Sequence, residues 1–492
     1  MYSCDNHAIV AEHSYNKYAI IAAYSCDKYA RLLTALPNYG IIMTAARSFR
    51  AGSRVCAEVK DMLERKVEKQ LSQWKGRADR KCLLVKGARQ VGKTFSIDKF
   101  CRENYKHYIY INFDVNAEYV SIFEGALDSG TIIKNLSLLF GNVRIVPGET
   151  VVFLDEIQNC PRARTALKFL AIDKPFDVIA SGSLLGIRYK EVPSFPVGYV
   201  NHLEMHSLDF EEFCWANGIT KEAMGYLRSY YDNKETVPAA VHGRMLRLFR
   251  EYIAVGGMPA VVNVFLQTHH FGDVLETQRG IVEDYFDDIA KYAAGNDKAK
   301  ARECFRAVPR NLAKANKKFQ YSIVEKGGSA RKYGGSLMWL FDAGIINYCY
   351  NLSVPELPLE GNSKNDDFKV YMRDTGLLVS MLEDGSQKDI ISGNLGIYKG
   401  AIYENIIADV LTKTGKKLYY FCVPSQIEVD FFIRQGGHAI AVEVKSSENT
   451  KSKSMKSIIS NYGVHGGIKL STKNIGVYEK TTNLPLYMAM FM

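Results

Sequence analysis

Long apolar runs are missing from this chain. No stretch approaches the ~20 consecutive apolar residues that a membrane-spanning helix needs. The first residues carry Asp5 and Glu12 where a secretory signal would have a continuous apolar core. C-x-x-C pairs and His–Cys clusters at zinc spacing are also missing, and the ten cysteines are scattered. These absences argue against a disulfide scaffold, a zinc module and a membrane protein. They lead to the expectation of a soluble, cytoplasmic protein with reduced, packed cysteines and no membrane partner.

What is present is ordinary globular composition in a long chain. At 492 residues the sequence exceeds one compact core, and length suggests about three domains. Hydrophobic residues make up 47% and charged residues 24%. Lys and Arg number 63 against 53 Asp and Glu, a formal charge of +10. That excess fits a polyanionic partner such as DNA, and equally a solvated surface without one.

Along the chain, Tyr-Ser-Cys-Asp occurs at Tyr2 and again at Tyr24, with no periodicity between the copies. Helical spacing begins only near Met62, with Leu63, Val67, Leu71 and Trp74. Residues 1–61 are therefore expected to be a loosely attached leader, or to precede a translation start at Met62. From Lys81 to about Ile187, short apolar runs alternate with helical stretches: Cys82–Val85, Tyr108–Asn112, Val151–Leu154 and Val178–Ala180. Buried parallel strands have this pattern, which predicts an α/β domain. Helical sequence follows from Ser207 to about Lys291 and from Arg302 to Tyr350. Beyond a Pro- and Gly-punctuated segment near Pro355, Pro358 and Gly361, a last α/β unit is expected, with a helix after Gly400 and strands at Leu418–Val423, Ile427–Ile433 and Ala439–Lys445.

Gly87-Ala88-Arg89-Gln90-Val91-Gly92-Lys93-Thr94 matches G-x-x-x-x-G-K-[ST] between an apolar run and a helical stretch. The glycines let backbone N–H groups close around phosphates, and the following helix N-terminus adds positive dipole. Lys93 would reach the β- and γ-phosphates of ATP, and Thr94 would supply a hydroxyl to Mg²⁺. Val151-Val152-Phe153-Leu154 ends in Asp155-Glu156, with Asp155 for the Mg²⁺ shell and Glu156 for the attacking water. A third apolar run ends in Ser181-Gly182-Ser183, and Ser183 is the candidate γ-phosphate sensor; a plain strand-to-loop turn is the alternative.

Several stretches together resemble a family of bacterial and archaeal AAA-type ATP-binding proteins, in which the ATPase is followed by a C-terminal domain of unknown function. They are Lys86–Thr94, Leu154-Asp155-Glu156-Ile157-Gln158, Ala180-Ser181-Gly182-Ser183, Leu208–Phe213, Gly256-Gly257-Met258-Pro259 and Tyr371–Leu377. The resemblance implies an AAA-type P-loop NTPase parallel-sheet domain over 62–205 and a helical lid region over 206–295. It further implies a winged-helix-like segment over 296–355 and a restriction-endonuclease-like α/β domain over 356–492. It also implies homo-oligomers with an arginine finger in trans. Many relatives have Gly-Arg where this chain has Gly198-Tyr199, which leaves Arg188, Arg279, Arg310 and Arg373 as candidates. Ala307-Val308-Pro309, Asn316–Phe319 and Ser336–Ile346 look like the winged-helix segment. Lys314, Lys317, Lys318, Lys326, Arg331 and Lys332 make it locally basic, either against DNA phosphates or as a solvated face.

Near the C-terminus, Ile427–Ile433 alternates as a half-buried strand, and Glu443 and Lys445 stand two apart, on one face of the next. Charges inside an apolar strand are costly without a partner or a task. Asp430 and Glu443, with Glu404 from the preceding helix, would form an oxygen-rich Mg²⁺ site, and Lys445 would orient its water. This D…E-x-K arrangement resembles restriction-endonuclease-like nucleases, with Glu404, Asp430, Glu443 and Lys445 at the motif positions. The alternative is a structural ion-pair cluster. Tyr419 and Tyr420 either stack on bases or belong to the core.

Overall fold

The computed structural model describes residues 63–141, 144–182, 198–292, 297–314, 317–394, 399–445 and 453–492. The leader expected over 1–61, Ser183 and Arg188 lie outside the described residues.

The first part begins with α1 (Lys66–Lys75), β1 (Cys82–Lys86), α2 (Lys93–Asn104) and β2 (His107–Asn112). It continues with α3 (Ser129–Phe140), β3 (Thr150–Asp155), α4 (Pro161–Asp173), β4 (Asp177–Gly182) and β5 (Val200–Glu204). The strands form one parallel sheet in the order β2-β3-β4-β1-β5. Both faces are covered, which is why the strands read as unbroken apolar runs rather than as alternation. Leu83, Val85, Val151, Phe153 and Ile179 pack on one side, and Leu84, Val152, Leu154, Val178 and Ala180 on the other. Each such Val, Leu, Ile or Phe side chain contributes about 1.5–3 kcal/mol on burial. β5 was not legible as a strand: Val-Asn-His-Leu-Glu has no apolar run, and pairing with β1 alone makes it one.

A helical part follows: α5 (Phe210–Ala216), α6 (Lys221–Asn233), α7 (Ala239–Val255), α8 (Pro259–Thr268) and α9 (Phe271–Tyr292). Asp209 and Glu212 form a reciprocal capping box on α5. Glu212 also takes Arg65 at 3.2 Å, and Arg65 donates onward to Val91 O at 3.0 Å, tying the chain before α1 to the P-loop. Next come α10 (Asp297–Leu312), α11 (Tyr321–Val324), α12 (Ala330–Asp342), β6 (Ile346–Leu352) and β7 (Ser363–Met372).

Helices followed by a hairpin are the parts of a winged helix, yet this hairpin is no free wing. β6 is antiparallel to β7 and also parallel to β8 (Leu418–Val423), so both strands belong to the C-terminal sheet. That sheet therefore runs across the boundary expected at 355. Half of the basic stretch is engaged within the chain. Lys317 pairs with Glu404, Lys318 with Asp367 at 3.3 Å, and Lys332 with Glu325.

Before β8 the chain forms α13 (Thr375–Ser380), α14 (Ser386–Ser392) and α15 (Lys399–Lys413). After it come β9 (Ile427–Gln435), β10 (His438–Val444), α16 (Lys453–Asn461), β11 (Gly466–Ser471), β12 (Gly476–Tyr478) and β13 (Thr481–Pro485). The sheet has eight strands in the order β12-β13-β11-β10-β9-β8-β6-β7. Buried α15 covers one face with Phe431, Val442, Ile468 and Leu470, and α16 covers the other with Val429, Phe432 and Ala441. Among the described residues no helix is long and apolar enough to cross a membrane.

Candidate nucleotide site

The loop after β1 owes its shape to two glycines. A Cβ on Gly87 would lie 2.2 Å from the Met205 carbonyl oxygen, so no side chain fits there. Gly92 caps α2 with φ 92°, in the left-handed region that glycine adopts without cost. Lys93, buried in the first turn of α2, donates to Gly87 O at 3.0 Å and Ala88 O at 2.7 Å. Burial pushes its ammonium down to about 8; the Glu156 and Asp155 carboxylates oppose that shift, and Arg89 adds to it.

Asp155 ends β3 almost fully buried and gathers donors from three neighbouring elements. Thr94 Oγ1 donates to its Oδ2 at 2.9 Å, Tyr110 OH to Oδ2 at 3.0 Å, and Ser181 Oγ to Oδ1. Ser181 is the serine of that strand end seen to touch the carboxylate. Tyr110 and Asn112 escaped the sequence reading because they belong to no motif, and Gln158 was given no role although it closes the Leu154–Gln158 stretch. The alternation of polar Tyr110 and Asn112 along β2 was the available signal. Glu156 sits beside Asp155 with φ 53°, and its Oε2 accepts from Gln158 Nε2 at 2.5 Å.

These residues fit ATP and Mg²⁺. The backbone cradle at Gly87 is one that a side chain would fill, and the Lys93 ammonium lies against its carbonyls. Thr94 and Asp155 already stand at hydrogen-bonding distance, the pair of oxygens that would hold Mg²⁺. The bound metal would draw charge from the terminal phosphate oxygens.

The C-terminal carboxylates are arranged otherwise, and the expected four-residue set does not form. Glu404, buried on α15, is gripped by Lys317, by Tyr371 OH at 3.1 Å and by Lys369 at 3.7 Å. Burial works to raise its carboxyl, but Lys369 and then Lys317 outweigh that and hold it low. Asp430 belongs to the same cluster; lost hydration and the Glu404 charge push it up to about 7, and its Oδ2 accepts from Val444 N at 2.8 Å. Glu443 and Lys445 pair with each other at 2.5 Å, and Glu443 lies opposite Lys469 in the ladder. Val442 packs on the α15 side and Ala441 on the α16 side, so period-two alternation sends Glu443 away from Glu404. Among the described residues no group of three or more His, Cys, Asp or Glu is placed to hold a metal. With two lysines on Glu404 and Glu443 on the opposite face, this set does not fit a Mg²⁺ centre. Tyr419 and Tyr420 are buried core residues.

Residues 79–214 match the family model described as an AAA domain. The chain carries an AAA-type P-loop ATPase domain. Residues 246–388 and 399–490 match two domains of unknown function, DUF8612 and DUF4143. Among solved structures the chain is similar to a Walker-type ATPase of Pyrococcus abyssi, at 15% identity and TM-score 0.41, covering 66% of this chain and 97% of that one. It is also similar to the Orc1 protein of Aeropyrum pernix in complex with DNA, at 12% identity and TM-score 0.30, covering 68% and 94%. A third is the RuvB Holliday junction branch migration motor of Thermotoga maritima, at 15% identity and TM-score 0.27, covering 57% and 87%. No curated protein matches the sequence.

The AAA domain is held from outside its own sheet. Asp288 of α9 pairs with Arg89 at 2.5 Å, Asp284 accepts from Gln90 at 2.6 Å, and Tyr285 OH donates to Arg89 O at 3.1 Å. Three residues of one helix thus grip two consecutive residues of the phosphate loop. Arg279 and Arg373 are engaged within the chain, by Asp384 at 2.5 Å and Glu204 at 2.6 Å, whereas Arg310 is exposed on α10.

Proposed function

We propose that the protein binds and hydrolyses ATP at Gly87–Thr94, with Asp155 and Thr94 holding Mg²⁺ and Glu156 as base, and that the nucleotide state switches a binding surface. The observation that carries this reading is the Thr94–Asp155 contact beside Glu156, at the carboxyl ends of the parallel strands where such folds bind ligands. The α9 contacts to Arg89 and Gln90 give the switch a route out of the AAA domain, since phosphates entering the loop compete for the same side chains.

For the C-terminal domain the ion pairs on Glu404 favour a binding role over strand cleavage. Removing a lysine from such a cluster would leave a buried charge unpaired, so the cluster holds the domain together. The order α15–β8–β9–β10–α16–β11 remains compatible with a nuclease-like scaffold that has lost its metal chemistry. DNA is the partner proposed, on the charge of +10, and a homo-oligomer with Arg310 offered to a neighbouring copy is the assembly proposed.

One experiment tests the whole reading: ATPase rate, nucleotide affinity and retention of plasmid and single-stranded DNA, compared for wild type, Lys93→Ala and Glu156→Gln. Lys93→Ala should lose nucleotide binding and ATP-dependent retention. Glu156→Gln should bind ATP, hydrolyse it at least about a hundredfold more slowly, and stay locked on DNA. Normal hydrolysis by Glu156→Gln would remove the base, and Mg²⁺-dependent DNA breakage would remove the non-cleaving reading.

A further inference from the structure

Gln158 lies two residues beyond Glu156, in the short 3₁₀ turn Ile157–Asn159. It is buried, with 6% exposure, where an amide is costly unless both of its ends are met. One end is met: Nε2 donates to Glu156 Oε2 at 2.5 Å. The other is not: Oε1 is sealed from solvent and accepts no hydrogen bond. On either side Ile157 and Cys160 pack into the apolar core, so packing alone would favour an apolar residue here.

The backbone is also set for this contact. Glu156 occupies the left-handed region (φ 53°, ψ 45°), which a non-glycine residue adopts only where its surroundings enforce it. Asn159 N donates to Glu156 O at 2.9 Å and closes the turn, which brings the Gln158 amide back onto the carboxylate two residues earlier. A held carboxylate and a buried, unmatched acceptor thus share one side chain beside the metal-binding Asp155.

We propose that Gln158 positions the base that activates the water attacking ATP: Nε2 fixes the Glu156 carboxylate in place. The inference rests on the reading of Glu156 as base. In the step, the water oxygen bonds to the terminal phosphorus and one water proton passes to Glu156. The P–O bond to ADP breaks, and its electron pair leaves on the ADP oxygen. Gln158 transfers no proton. Its N–H holds the carboxylate that takes the proton, and so narrows the orientations open to that transfer. It is a positioning residue, and its signature is a loss confined to the transition state.

The test uses the full chain with Gln158→Met, which keeps the length and loses both polar ends, and Gln158→Glu, which keeps an acceptor and loses the donor to Glu156. Affinities for Mg-ADP and for Mg-ADP with aluminium fluoride, a mimic of the phosphoryl group in transfer, are measured beside kcat and KM. Gln158→Met should bind Mg-ADP within about twofold of wild type, and lose about 10- to 100-fold both in aluminium fluoride complex affinity and in kcat, with KM little changed. Gln158→Glu should show the same split, because a carboxylate cannot hold a carboxylate, and it carries the test should Gln158→Met fail to fold. Wild-type affinity for the aluminium fluoride complex in both variants overturns the proposal. An equal loss for Mg-ADP also overturns it, since a merely structural residue weakens both. Normal hydrolysis by Glu156→Gln removes the base and this proposal together, while leaving nucleotide binding through Lys93 standing.

Discussion

Replacing Lys369 with methionine tests the ion-pair cluster directly. Lys369 is 1% exposed, with Glu428 at 2.8 Å, Glu404 at 3.7 Å and its ammonium 4.7 Å from the centre of the Tyr420 ring. Burial works to lower its ammonium, but Glu404, Asp430 and Glu428 outweigh that and raise it. A raised base contributes its stability fully below its unfolded value and loses it only as pH climbs through the folded one, so at pH 7 all of it is present. Methionine fills similar volume and leaves Glu404 with Lys317 and the Tyr371 hydroxyl. Breaking a buried pair by removing one partner costs about 3–5 kcal/mol, and the remaining lysine argues for the lower end, about 3 kcal/mol. Guanidinium unfolding at pH 7 should show that deficit. The deficit should shrink in acid as Glu404 takes a proton in the variant. A loss below about 1 kcal/mol at pH 7 would refute the structural reading of the cluster.

Two further outcomes concern the phosphate loop. Gly87→Ala places a Cβ 2.2 Å from the Met205 carbonyl oxygen, so the loop must move; fluorescent-nucleotide titration should show a fall of about 10- to 100-fold in ATP affinity, and unchanged affinity would contradict the geometry. Lys93, brought down to about 8 by burial, is close to half protonated at pH 8 in the free protein. Its folded value lies below the unfolded one, so the stability it contributes is present above 10.5 and is lost as pH falls through 8. Phosphates favour the ammonium, and Mg-ATP binding at pH 8 should therefore take up about half a proton, seen calorimetrically as a binding enthalpy that differs between Tris and HEPES. Equal enthalpies in the two buffers would refute it.

The sequence by itself determined the elements whose signals are local. The strands β1, β3 and β4 of the AAA sheet carry apolar runs that no partner is needed to explain, and Gly87 to Thr94 fixes a loop by spacing alone. Tertiary structure decided what depends on distant segments. β5 is a strand only because β1 lies beside it, and Ser181 meets Asp155 across 26 positions of sequence. Lys317 and Glu404, 87 positions apart, form an ion pair that no pattern within either helix or strand announces. The hairpin of β6 and β7 looked like a wing until its pairing with β8 made it part of a larger sheet. Two residues' spacing puts Glu443 and Lys445 on one face, but which face depends on the neighbours of β10. There a difference of one position sends Val442 toward Glu404 and Glu443 away from it, and that separates a carboxylate motif from a metal site.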